Sequence, residues 1–404
     1  MKISPELLQS LKWFDGRDRE MLQLVERLCN QNSGTFHREG IQAVSEMLIA
    51  ECDSLSGTYQ SVPVEPMETI TDQGEKTLTQ LGPAIHLVKR PEVRPQVLLC
   101  IHMDTVYGRD DSFQRCQMLD TERMNGPGVI DAKGGLVVML YALRAFEASP
   151  LAGRLGWQLF INPDEEIGSL GTGKYINQLA KTADLGLLFE PSLPSGDLVS
   201  WRKGTGSFTF VVRGRAAHAG REFHNGRNAV AAMSRLMVAI DELNTDPEVT
   251  FNVGRVSGGG ALNIVPDLAV GRINARVRTL DQQQQVEKQL EGLVRDFNSR
   301  LDGIRIEMHG SFTSPPKEIS PQTEALMRRI EVCGDALGQK ISWQGSGGAS
   351  DGNKFSAAGL PNIDSLGPSG GEIHSSREFL NISSLVPKAK LTTLILLSLA
   401  SELK

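Results

Sequence analysis

Apolar runs of strand length alternate with helix-period segments over residues 1–195, and this alternation restricts the chain to few architectures. Gln96–His102 (QVLLCIH), Leu155–Ile161 and Leu185–Phe189 are short and largely apolar on both faces. Residues 20–51 are helical in period, with an interruption near Gly34, and Gly135–Phe146 and Gly173–Leu179 also read as helices. Strands buried on both faces and alternating with helices make a mostly parallel α/β sheet with helices on both sides.

The middle of the chain changes character. Ser207–Arg213 alternates with period two, and Asn228–Leu243 is an amphipathic helix. Val249–Val256 and Leu268–Val277 read as strands, Gln282–Leu301 as a helix and Ile304–Met308 as a strand. The order β-α-β-β-α-β is that of a ferredoxin-like unit. Afterwards the α/β style resumes, with a helix at Thr323–Leu337, a short strand at Pro361–Leu366 and a closing helix at Leu385–Leu403. A length of 404 residues suits two domains. The expected organisation is a catalytic domain in two pieces, 1–200 and 313–404, interrupted by a lid or dimerisation domain at 201–312.

Composition excludes some partners. The net charge is −6 and no Lys/Arg run stands out, so no nucleic acid partner is expected. The first residues carry early acids and no apolar leader segment, which points to a cytoplasmic protein. The apolar stretch Leu394–Leu399 is interrupted by Ser398 and reads as a buried helix, too short to span a membrane. Five cysteines, an odd number without a C-x-x-C pair, read as free thiols.

Five polar segments carry the chemistry. They are His102-Met-Asp104-Thr, Gly128-Val-Ile-Asp131-Ala-Lys-Gly-Gly135, Asp164-Glu165-Glu166, Glu190-Pro191 and His374-Ser-Ser. Each follows an apolar strand or sits in a Gly-rich loop, and ligands of open α/β sheets bind beyond the carboxyl ends of strands. Taken singly, each has an ordinary explanation: Asp131 as a helix cap, Glu165-Glu166 as a solvated turn, His102 as a hydrogen-bonded strand end. Their joint order is what carries weight. Two histidines, a shared Asp131 and two further carboxylates would give two metal ions three protein ligands each. Imidazole and carboxylate donors suit zinc or cobalt. One carboxylate of the Glu165-Glu166 pair is then left over as a general base.

These motifs resemble the co-catalytic di-zinc amidohydrolase and metallopeptidase family of aminoacylase-1, acetylornithine deacetylase, succinyl-diaminopimelate desuccinylase and glutamate carboxypeptidase. The resemblance also includes Gly-Arg-Ala-Ala-His-Ala-Gly at 214–220 and Asn263-Ile-Val-Pro266, and covers the chain from about Ile41 to Leu397. The glutamate carboxypeptidase branch looks closest, through Gly347-Gly-Ala-Ser-Asp351.

The resemblance implies roles. His102, Asp131 and Glu190 would hold one metal, and Asp131, Glu166 and His374 the second, with the choice of glutamate for each metal left open. Asp104 would orient His102, and Glu165 would be the base. His218 would reach the neighbouring subunit's site across a homodimer, and Asn263, also in the lid, would bind substrate. Arg276 would bind a substrate carboxylate through its planar fork. Asn274 stands two residues before it, where the family has Asp, which puts its orientation in question. Ser350 would hydrogen-bond the substrate. His37, His86, His224 and His309 match no motif. The expected cofactors are two divalent ions, zinc first, with cobalt or manganese as alternatives. The expected substrate is a small peptide or an N-acyl amino acid. A carboxypeptidase, an N-deacylase and an inactive metal-binding protein of the same fold are the readings left, and an intact Glu165 argues against the last.

Overall fold

The computed structural model describes residues 3–402. After a short N-terminal helix come α1 (Asp18–Cys29) and α2 (Arg38–Cys52), then the strands β1 (Thr58–Gln60), β2 (Ile85–Lys89) and β3 (Gln96–His102). Helix α3 (Gly135–Glu147), strand β4 (Gly156–Asn162), helix α4 (Gly173–Ala180) and strand β5 (Leu185–Leu188) complete the first piece. The lid supplies β6 (Gly204–Arg213), α5 (Ala229–Asp241), β7 (Thr250–Gly258), β8 (Leu268–Val277), α6 (Leu280–Arg300) and β9 (Arg305–Ser314). The chain returns through α7 (Pro321–Ala336), α8 (Asp351–Ala357), β10 (Asn362–Ile363) and α9 (Leu385–Ser401).

The catalytic sheet has the order β1-β2-β4-β3-β5-β10. The four strands from β4 to β10 run parallel, and every residue of β3 and β4 is buried, in keeping with their largely apolar runs. β1 and β2 add an antiparallel edge that the sequence reading did not anticipate. All of α3 except Arg144 and Glu147 is buried, so this helix is apolar nearly all round. It packs against α9, whose residues Leu391 to Ala400 form an unbroken buried run. One core joins Leu7 to Ala400.

The lid is a four-stranded antiparallel sheet of order β7-β8-β6-β9, the ferredoxin-like arrangement. Its sheet and two helices occupy 204–314, against the expected 201–312. Asn228 caps α5 by accepting the Ala231 N–H at 2.9 Å, and Thr279 with Gln282 forms a capping box at the start of α6. The lid has its own core, from Phe208 to Phe312. Its two connections to the catalytic domain run side by side. Arg202 N donates to Lys317 O at 3.2 Å, and Lys317 N to Arg202 O at 3.0 Å. Both side chains close on one buried carboxylate, Asp364, at 2.9 Å and 2.8 Å.

Several expectations change. The strand predicted at Pro361–Leu366 is only Asn362–Ile363, and the one predicted at Ile304–Met308 extends to Ser314. The closing helix is described to Ser401, and Leu403 lies outside the described residues. The C-terminal segment Ile382–Ser401 is, by length and composition, long and apolar enough to cross a membrane. It is nevertheless mostly buried in the core, because it covers α3. All five cysteines are free.

Candidate active site

Three of the five polar segments leave the carboxyl ends of adjacent parallel strands. His102 ends β3, Glu165-Glu166 follows β4 and Glu190 follows β5. Asp131 comes from the turn that enters α3, and His374 from a loop between β10 and α9. Gly135 lets α3 approach the sheet, since a Cβ there would meet Phe189 O at 2.1 Å.

The fold brings the ligand candidates into two groups that share Asp131: His102, Asp131 and Glu190, and Asp131, Glu166 and His374. Within each group the donor atoms all lie within 4.8 Å of one another. His102 Nε2 lies 3.0 Å from Asp131 Oδ1 and 3.8 Å from Glu190 Oε2. His374 Nε2 lies 3.4 Å from Asp131 Oδ2 and 3.3 Å from Glu166 Oε2. The choice of glutamate left open by the sequence is resolved by position: Glu190 groups with His102, and Glu166 with His374. Glu165 belongs to neither group.

Asp104 is fully buried and accepts from three donors. Its Oδ1 accepts the Glu165 N–H at 3.1 Å, and its Oδ2 accepts the Glu166 N–H at 3.2 Å and the Thr35 hydroxyl at 2.7 Å. His102 Nδ1 faces it, 3.0 Å from the Asp104 backbone carbonyl oxygen and 3.3 Å from Oδ1. The ring is thereby held with Nε2 toward Asp131.

The electrostatics are those of an anionic pocket. Burial pushes Glu190 up to about 8, and burial together with the charge of Glu190 pushes Glu165 well above the carboxylate range. Hydrogen bonds to Asp131 and Glu166 raise His374 to about 10. Glu166 Oε1 is buried with no hydrogen-bond partner. Crowded carboxylates, two imidazoles and an orphaned carboxylate oxygen form a donor set that fits divalent cations. Asp131, Glu166, Glu190 and His374 line a cavity of about 390 Å³ with Glu165, Arg202 and Ser346. A second opening of about 450 Å³ adjoins it through Glu166 and is walled by Phe36, His37, Val106 and Arg109.

Other predicted residues fare differently. His218 and Asn263 lie together, with the Ala219 N–H donating to Asn263 O at 2.9 Å, but both are exposed on the lid and outside the cavity. The Arg276 guanidinium donates from Nε to Asn274 Oδ1 at 3.1 Å and from Nη1 to Gly347 O at 2.6 Å. Asn274 therefore orients the arginine although it is not an aspartate. Ser350 is a correction: it is buried, and its hydroxyl caps α8 by accepting the Gly352 N–H at 3.2 Å, so it is not presented to the cavity. Of the four unassigned histidines, His86 is buried in the sheet and His37 walls the second opening.

Sequence reasoning missed Glu378, Arg202 and Lys133. Lys133 is buried against the Met103 carbonyl at 2.8 Å, directly after the Asp131 turn. Lys133 lies within the Gly128–Gly135 segment, but the motif assigns it no role, and nothing in the local sequence marks Glu378 or Arg202, because their partners are distant in the chain.

The model of peptidase family M20/M25/M40 matches residues 98–398. Carboxypeptidase G2 of Pseudomonas sp. (strain RS-16) is 26% identical over 396 residues, covering 94% of this chain and 89% of the relative. A tripeptidase from Staphylococcus aureus superposes with a TM-score of 0.74 at 22% identity, over 95% of this chain and 99% of that one. A dinuclear metal-binding M20 peptidase from Bacillus subtilis gives a TM-score of 0.65 at 11% identity, over 95% and 99%. The donor set and the family together support two divalent metal ions. The chain belongs to peptidase family M20/M25/M40 and is a metal-dependent hydrolase of peptide or amide bonds.

Proposed function

We propose that the chain is a two-metal carboxypeptidase that cleaves the last amide bond of a small peptide or an N-acyl amino acid, with Glu165 as general base. The metal proposed is zinc, which cobalt or manganese can replace. The observation that carries the reading is that Glu165 faces the cavity beside both ligand groups and belongs to neither. A carboxylate engaged by cations cannot collect a proton, whereas an adjacent free one can.

Two divalent ions bound there supply Lewis acidity and lower the pKa of an attacking water toward ~7. Glu165 takes that proton and returns it to the leaving nitrogen. Asp104 keeps His102 oriented and fixes the backbone of the glutamate pair. Arg276 receives the terminal carboxylate that peptides and N-acyl amino acids share. His218 acts from a second copy of the chain, donating to the carbonyl oxygen as negative charge develops; one such donor contributes about 3 kcal/mol. Exposed apolar side chains around it, Phe223, Leu262 and Ile264, support a lid-to-lid homodimer.

The test is hydrolysis of N-acyl amino acids and dipeptides after chelation and after adding back zinc, cobalt or manganese. Activity should vanish and return, and amidating the substrate's C-terminus should abolish cleavage. Full activity in metal-free protein, or equal cleavage of amidated substrates, contradicts the proposal.

A further inference from the structure

Glu378 is a buried acid near the site with a donor on every acceptor position, and it lines neither of the two cavities. It lies four residues beyond His374 and is fully buried. Its Oε1 accepts the N–H groups of Ile130 at 3.0 Å and Asp131 at 3.1 Å. Its Oε2 accepts the Gly128 N–H at 3.3 Å and the Tyr107 hydroxyl at 2.6 Å. An ionised carboxylate has about four acceptor sites and no donor. All four are filled here by donors, and an amide in the same place would turn an NH2 group against two of them.

The donors converge because of the local backbone. Gly128 adopts φ +69°, which turns three N–H groups of the 128–131 segment toward one point. Residues 123–125 pair antiparallel with 379–381, so the bases of the two loops are joined. Glu378 O accepts the Asn125 side-chain amide at 2.7 Å and the Gly126 N–H at 3.3 Å. The second loop carries His374 at φ +60°, a left-handed conformation that persists in a non-glycine residue only when its surroundings hold it.

We infer that Glu378 is the positioning residue of the di-metal centre: it ties the Asp131 turn to the His374 loop and so sets the spacing of the ligands on the second metal. This rests on the two-metal reading above. With Asp131 held by its own N–H and His374 by the short chain to Glu378, loosening this acid lets two of the three ligands in the Asp131, Glu166 and His374 group drift together.

The test uses the full-length protein and cobalt alone as the probe, read by titration of the metal-free protein, the visible cobalt spectrum and the melting temperature of the metal-free form. Glu378→Gln should weaken binding of one of two cobalt ions by about ten- to a hundredfold and alter its spectrum. The kcat should fall to a similar degree while KM stays within about twofold. Tyr107→Phe, which keeps the carboxylate and its three backbone bonds but removes the hydroxyl that lies 2.6 Å from Glu378 Oε2 and 2.9 Å from Ser375 O, should move cobalt affinity in the same direction by a smaller factor. It is the deciding variant if Glu378→Gln does not fold. Lowered melting with unchanged cobalt affinity and spectrum would show a purely structural acid and overturn the inference, as would an unshifted Tyr107→Phe. Wild-type protein that binds two cobalt ions but cleaves none of the substrates refutes the proposed activity while leaving this inference to the titration.

Discussion

Asp104 Oδ1 accepts the backbone N–H of Glu165 at 3.1 Å, so the acid that faces His102 also anchors the proposed base. Orientation of a metal ligand and of the proton acceptor thus depends on one buried carboxylate. Asp104→Asn presents an NH2 group to donors. It should lower both cobalt affinity and kcat by about ten- to a hundredfold. A variant that loses kcat with metal binding intact would confine the role of Asp104 to Glu165.

Glu165→Gln keeps the shape of the side chain and removes its basicity. The kcat should fall by ~10² or more with two metals still bound. If metal content falls instead, Glu165 is a ligand and its neighbour Glu166 is the base.

His218 sits on the lid, outside the cavity, and the proposed role assigns it to the site of another copy of the chain. Mixing His218→Ala with Glu165→Ala subunits, each inactive alone, should restore activity to about one quarter of wild type by random assortment into dimers. Verified subunit exchange without recovery would place His218 outside the reaction or within its own site.

His86 is buried between Tyr175 and Gln158, and burial lowers it to about 4 from an ordinary 6.5. The unfolded chain takes up a proton near pH 6.5 that the native ring refuses until about pH 4. Stability from this group is therefore complete above pH 6.5 and declines as the pH falls, by about 2 kcal/mol between pH 7 and pH 5. Urea midpoints at the two pH values should show this loss, and His86→Gln should remove that share of it. An identical pH slope in the variant would count against the assignment.

The parallel strands were legible because burial on both faces leaves an unbroken apolar run, and the residue that ends such a run is placed at the site. His102 and Glu190 follow from that rule. β1 and β2 did not follow, since β1 is three exposed residues and the edge lacks a periodic signal. Glu378 could not be read at all: its contact with Tyr107 spans 271 residues. Ser350 carried a signal that was misjudged. Ser350-Asp-Gly-Asn353 is a capping box with Asn in the Glu/Gln position, and it places the hydroxyl on its own helix.

The two cores also differ in when they can exist. That of the lid draws only on Phe208 to Phe312, whereas the larger one needs both Leu7 and Ala400. On a ribosome adding ~5–20 residues per second, the inserted unit can close while the strands made before it still wait for α9 to cover α3. The domain begun first is the last to finish, and its apolar central helix stays open to chaperones and proteases in the interval. Chains halted once Ser314 has emerged should yield a protease-resistant fragment near 204–314 and early cleavage between Gln96 and Leu188. Equal protection of both regions would show that the first piece folds without its C-terminal helix.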